Sequence, residues 1–209
     1  AVAKSRNFKF EKYTPKNQPF LMISNHTTPD DPVLLGLAFT EYFRYVCAAH
    51  LLETKFLGKL FKFCADPIPR VRGGDSKKTV DDIINTLKSG VNVSIYAEGL
   101  TTIDGQTEYI SDKTGELVKN SGASLLLVRF IGGYMQRPRW SKYRRKGPIT
   151  FEVTGDYSAE EISRMSVDEV NSVIRKGLYL NAYERQREIP VKYKGKCLAE
   201  NLETVLWLC

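Results

Sequence analysis

What most limits the fold of this chain is the alternation of short apolar runs with stretches of helical period. Phe20 to Ser24, Tyr45 to Ala49, Val91 to Tyr96, Ser124 to Ile131 and Ile149 to Val153 read as buried strands, most of them bounded by Pro, Gly or Asn. Helices are expected between them: one ending near Phe43, then Leu51 to Phe63, Ser76 to Ser89-Gly90, and Ser166 to about Arg187, with Val167, Val170, Val173 and Ile174 inward. No internal repeat interrupts the order. The class is α/β, with a mixed or mostly parallel central sheet flanked by helices. Such sheets bind ligands at the carboxyl ends of their strands.

The first helix has two readings. Thr28 as cap, Pro29 at the first position and Asp31 three residues after the Thr make a helix start. Pro32 is awkward in that register, so the turn alternatively begins at Asp31. Residues 1–18 read as a loop or arm, Ala65 to Arg70 with its two prolines as an edge strand or extended loop, and 100–120 as a polar excursion. Leu52, Phe56, Leu60 and Phe63 recur at helical spacing opposite Lys55, Lys59 and Lys62, which suits a solvated lysine face or a membrane-contacting one. Gly73-Gly74 turns the chain.

At 209 residues there is room for one domain, or one with a small appendage. Residues 1–195 are taken as the domain and 196–209 as a tail, where Cys197 and Cys209 leave open the start of a cysteine-containing module. No metal site is read from them. Cys47 and Cys64 read as small buried residues in a reducing, cytoplasmic compartment. No targeting segment is read at Ala1-Val2-Ala3-Lys4, and no run reaches the roughly 20 apolar residues of a membrane span.

A net charge of +7 implies an anionic partner. Residues 137–146 hold six basic residues with Trp140 and Tyr143 interleaved, which suits the anionic inner face of the cell membrane with the protein peripheral to it. No nucleic-acid motif accompanies them, which sets nucleic acid behind a membrane surface as partner.

The chemistry concentrates at Asn25-His26-Thr27-Thr28-Pro29-Asp30-Asp31, just after an apolar run, in a chain with two histidines. A histidine at a turn with a carboxylate close behind is what general-base activation of a hydroxyl needs. A bland reading makes His26 a capping histidine and Asp31 a helix N-terminal acid favoured by the dipole. Glu98-Gly99 follows another strand at the same sheet edge, provided the two strands are parallel. Glu98 suits acceptor binding or loop bracing, and Gly99 a tight turn. His50 is given no role.

Asn25-His26 with Asp31, followed about seventy residues later by Glu98-Gly99, resembles the glycerolipid acyltransferase family, nearest to bacterial lysophosphatidic acid acyltransferases. Four blocks of that family lie in order along residues 20–131: the His26/Asp31 motif, Ile68-Pro69-Arg70 with Arg72 close by, Ala97-Glu98-Gly99-Leu100-Thr101, and Leu125-Leu126-Leu127-Val128. The resemblance implies a glycerol-3-phosphate acyltransferase-like fold and acyl transfer from acyl-CoA or acyl-ACP, as co-substrate and without a cofactor, to the free hydroxyl of lysophosphatidic acid. His26 would be the base and Asp31 its orienting partner. Asn25, Arg70, Arg72, Glu98 and Gly99 would serve substrate binding. Thr101 stands where the family has an arginine, and Leu127 where it usually has proline. The first departure keeps open another acceptor, glycerol-3-phosphate or another lysophospholipid; a non-enzymatic binder of anionic lipid or nucleic acid is the remaining alternative. For the oxyanion, amides just after His26 or around Gly99 are the candidates.

Overall fold

The computed structural model describes residues 1–54, 57–71 and 76–204, without the side chains of Leu57, Leu60 and Cys64. Arg72, the Gly73-Gly74 turn, Lys55, Phe56 and Cys209 lie outside the described residues.

In chain order the elements are α1 (Val2–Ser5), β1 (Phe20–Ser24), α2 (Asp31–Ala38), β2 (Phe43–Ala48), α3 (Ala49–Leu52), α4 (Leu57–Ala65), β3 (Ile68–Arg70), α5 (Ser76–Lys88) and β4 (Asn92–Tyr96). There follow α6 (Lys113–Ser121), β5 (Ser124–Ile131), α7 (Gly133–Gln136), β6 (Thr150–Tyr157), α8 (Ala159–Arg164), α9 (Val167–Leu178) and α10 (Ala182–Glu188). The strands form a six-stranded sheet in the order β3-β2-β4-β1-β5-β6. Every neighbouring pair is parallel except β5 with β6, which is antiparallel.

All five residues of β1 are buried, as expected of a central strand covered on both faces. Leu21 and Ile23 turn to one face, where Val93, Leu125 and Leu127 meet α5, α6, α8 and α9. Phe20 and Met22 turn to the other, where Leu126, Val128, Phe43 and Tyr45 meet α2 and Phe8 of the amino-terminal arm. Ser24 pairs with Tyr96 on one side and Val128 on the other, so β1 and β4 end at one level while β5 runs on to Ile131. His26 and Glu98 therefore leave the sheet side by side.

Several boundaries differ from expectation, each for a local reason. The first helix starts at Asp31, with Pro32 in its first turn where a missing N–H costs nothing, and stops at Ala38 rather than near Phe43. It stops because Phe39 turns extended and bridges Tyr13 of the arm, whose N–H takes the Ala38 carbonyl. The arm itself carries α1. Leu51 to Phe63 is two helices, not one: Gly58 packs so closely on α3 that a Cβ there would lie 2.6 Å from the Leu52 carbonyl oxygen. Phe63, expected inward, is 89% exposed. The 100–120 excursion contains most of α6. Ser166 begins α9 with a reciprocal bond to Glu169, but Asn181 caps a separate α10 by accepting from the amides of Tyr183 and Glu184. The two-proline segment is the edge strand β3. Cys47 is only half-buried. Among the described residues no helix is long and apolar enough to cross a membrane, and no cluster could hold a metal ion.

Candidate active site

The turn between β1 and α2 folds around one carboxylate. Asp31 has no exposed surface. Its Oδ2 accepts from His26 Nδ1 at 3.0 Å and from the backbone amides of Thr27 and Thr28 at 2.6 and 2.9 Å. Its Oδ1 accepts from the hydroxyls of Thr28 at 2.8 Å and Thr27 at 3.1 Å. A buried carboxylate is tolerated only with its lone pairs filled, and here five donors fill them. The bond to Nδ1 fixes the tautomer, and no described residue bonds Nε2.

The His26 peptide is held from both ends. Its N–H donates to Glu98 Oε1 at 2.8 Å, and its carbonyl accepts from the Thr102 amide at 2.9 Å. Glu98 Oε2 accepts from the Glu108 amide at 2.7 Å. Glu98 thus braces the turn that carries His26 against the loop after β4. Burial pushes its carboxyl from 4.5 up to about 7, outweighing the two amide bonds and the nearby His26, all of which lower it. Gly99 has φ +72°, a conformation that favours glycine, and its amide closes a turn onto the Tyr96 carbonyl.

Asn25, expected to touch substrate, commits both polar ends to the backbone of Phe130: Oδ1 accepts from its N–H at 2.7 Å and Nδ2 donates to its carbonyl at 3.1 Å. It extends the β1–β5 ladder past the end of the strand. Arg70 does approach the site, with one guanidinium nitrogen 3.5 Å from where a Cβ on Gly99 would stand. The amides expected to serve an oxyanion are occupied: those of Thr27 and Thr28 by Asp31, and that of Gly99 by Tyr96. Among the described residues, the amides of Leu100 and Thr101, like those of Glu98 and Asp104 in the same loop, have no acceptor.

Three features were not found by sequence reasoning. Asp30, beside Asp31, pairs with Arg6 at 3.1 Å and with Arg144, tying the arm and the basic loop to the start of α2. A sequence pattern gives no sign of partners 24 and 114 residues away. Gly133 sits against Thr27, where any Cβ would collide with the threonine hydroxyl. The basic loop turns partly inward: Arg139 donates to the Thr101 carbonyl at 3.4 Å, Arg144 bonds Gln136 as well as Asp30, and Arg145 lies over the Trp140 ring. Beyond the wall formed by Gly132, Leu180 and Ala182 lies a cavity of about 200 Å³ lined by Ile131, Met135 and Val191 among others.

The model of the family described as Acyltransferase matches residues 5–133, more than half of the chain. The chain belongs to the acyltransferase family. The match contains His26, Asp31, Arg70, Glu98 and Gly99. Among solved structures, this acyltransferase is similar to the 1-acyl-sn-glycerophosphate acyltransferase PlsC from Thermotoga maritima. The two share 18% identity with a TM-score of 0.64, over 83% of this chain and 71% of the other. At that identity the likeness concerns the fold, and the mostly parallel sheet flanked by helices agrees with it. A search of curated proteins returns no match.

Proposed function

We propose that this acyltransferase moves a fatty acyl group from a thioester, acyl-CoA or acyl-ACP, to the free hydroxyl of lysophosphatidic acid, giving phosphatidic acid. The observation that carries the reading is the His26 Nδ1–Asp31 Oδ2 bond at the carboxyl end of β1, which leaves Nε2 as the basic nitrogen. A hydroxyl attacks a thioester poorly at neutral pH because it keeps its proton. His26 Nε2 takes that proton as the oxygen bonds to the carbonyl carbon. The tetrahedral intermediate then collapses, the C–S bond breaks, and the thiolate recovers the proton from Nε2. Asp31 stabilises the imidazolium in between, as the aspartate does in the serine protease triad. Among the described residues no serine or cysteine is bonded to His26, and the transfer we propose is direct.

The acceptor's phosphate is assigned to Arg70 and Arg139, which approach the Gly99–Thr101 loop from opposite neighbours. Neither is paired with a carboxylate among the described residues, as is also true of Arg137, Arg145 and Arg187, whereas Arg6, Arg44, Arg129, Arg144, Arg164, Arg175 and Arg185 are. Arg139 would then supply across space the charge that Thr101 lacks in sequence. Leu100 and Ile103, each 46% exposed on the same loop, give the mouth an apolar rim beside that charge, suited to the anionic inner face of the cell membrane.

The test is thiol release from an acyl-CoA in the presence of lysophosphatidic acid, glycerol-3-phosphate and monoacylglycerol. Lysophosphatidic acid is expected to be acylated, and His26→Ala to abolish release. Activity that survives His26→Ala would sink the mechanism. Preference for glycerol-3-phosphate would favour the second reading, the same chemistry on another phosphorylated acceptor, which Thr101 motivates.

A further inference from the structure

Tyr96 closes β4, and its ring lies against that of His26, with centroids 4.2 Å apart and planes inclined by 21°. Nothing in the proton transfer described above uses this contact. We infer that Tyr96 is a positioning residue for the general base: its ring face holds the imidazole in the plane set by Asp31 and stabilises the imidazolium that forms when the acceptor's proton arrives. The inference rests on His26 being that base.

Three observations carry it. First, the stack covers one face of an imidazole whose side chain is only 17% exposed, so water contributes little to solvating a cation there. An aromatic face is the negative side of the ring quadrupole, and it attracts a cation most strongly where water is displaced.

Second, the other charged groups near His26 are already engaged. Asp31 is shared among two amides and two hydroxyls besides the ring, and Glu98 is bonded to the His26 backbone rather than to the imidazole.

Third, among the described residues the buried Tyr96 hydroxyl has no hydrogen-bond partner, as is true of Ser94 two residues earlier on the same strand face. The ring is the part that contacts the base.

The test places Phe, Leu and a series of phenylalanines carrying one, three and five ring fluorines at position 96, with kcat and KM followed by thiol release. Fluorine drains the quadrupole while nearly keeping the shape. Tyr96→Phe is expected to stay within about two-fold of the parent. kcat is expected to fall stepwise with fluorine number, by about ten-fold at the pentafluoro ring, with KM for both substrates unmoved. Tyr96→Leu is expected to lower kcat similarly and to remove the ring-current shift of the His26 proton signals, which Tyr96→Phe keeps. These signals are readily assigned in a chain with one other histidine, His50.

A flat kcat across the fluorinated series would overturn the inference, as would a Phe variant as slow as the Leu variant. If Tyr96→Leu does not fold, the near-isosteric series still decides. A parent protein without His26-dependent thiol release would overturn the general-base reading instead, while the NMR signals would still report the stack.

Discussion

Asp31 offers a perturbation whose effects on folding and on chemistry should separate. Replaced by Ala, it leaves the buried amides of Thr27 and Thr28 without their acceptor. At about 1–3 kcal/mol per stranded donor, the loss is about 2–6 kcal/mol, out of a stability on the order of 5–15 kcal/mol. Asp31→Asn should behave differently. With its carbonyl oxygen in the place of Oδ2 it keeps the bonds from Thr27, Thr28 and His26 Nδ1, and its amino group faces two threonine hydroxyls that can rotate to accept. The fold should lose no more than about 1 kcal/mol. The chemistry should not be spared, because the negative charge opposite the imidazolium is gone. Breaking a buried pair of this kind costs about 3–5 kcal/mol, which is roughly a 10²–10⁴-fold drop in kcat. Calorimetry and thiol release on the same preparations read both quantities. At about 2–4 °C per kcal/mol, Asn should shift Tm by less than about 4 °C and Ala by considerably more. An Asn variant within ten-fold of the parent's activity would refute the role of the charge, and equal Tm losses for Asn and Ala would refute the donor accounting.

Two further outcomes follow from the same turn. The Glu98 carboxyl titrates higher folded than unfolded, so between about 4.5 and 7 the native state binds the extra proton and stability falls as pH rises, by at most about 3 kcal/mol. Urea midpoints at pH 4.5 and 7.5 should show that slope in the parent and a flatter one in Glu98→Gln; identical slopes would count against it. Asn25→Leu strands the N–H and carbonyl of Phe130 and should cost about 2–6 kcal/mol in chemical denaturation, whereas a change below about 0.5 kcal/mol would mean the clamp is idle.

The sheet was legible because its central strands are runs of apolar residues that need cover on both faces, as β1 and β5 demonstrate. The pair of His26 and Asp31 was legible because both lie in one turn. What escaped depends on partners distant in sequence. The end of α2 is set by Tyr13, the inward turn of the basic loop by Asp30 and Thr101, and the role of Asn25 by Phe130. Phe63 misled because helical spacing marks a face without saying whether anything covers it. Tyr96 gave no signal, since an aromatic at the end of a strand is ordinary until a histidine ring is found stacked against it.

The turn that carries His26 is fastened largely through main-chain atoms: its own N–H and carbonyl, and the amides of Thr27, Thr28, Thr102 and Glu108. Every residue except proline offers an N–H. The stretch from Leu100 to Glu108 can therefore exchange many side chains without loosening His26, so long as its backbone path, Thr102 and Gly105 persist. That makes this loop the place to graft a different acceptor specificity. Changes at Glu98, which gathers two of those amides onto one side chain, should instead be felt throughout the site.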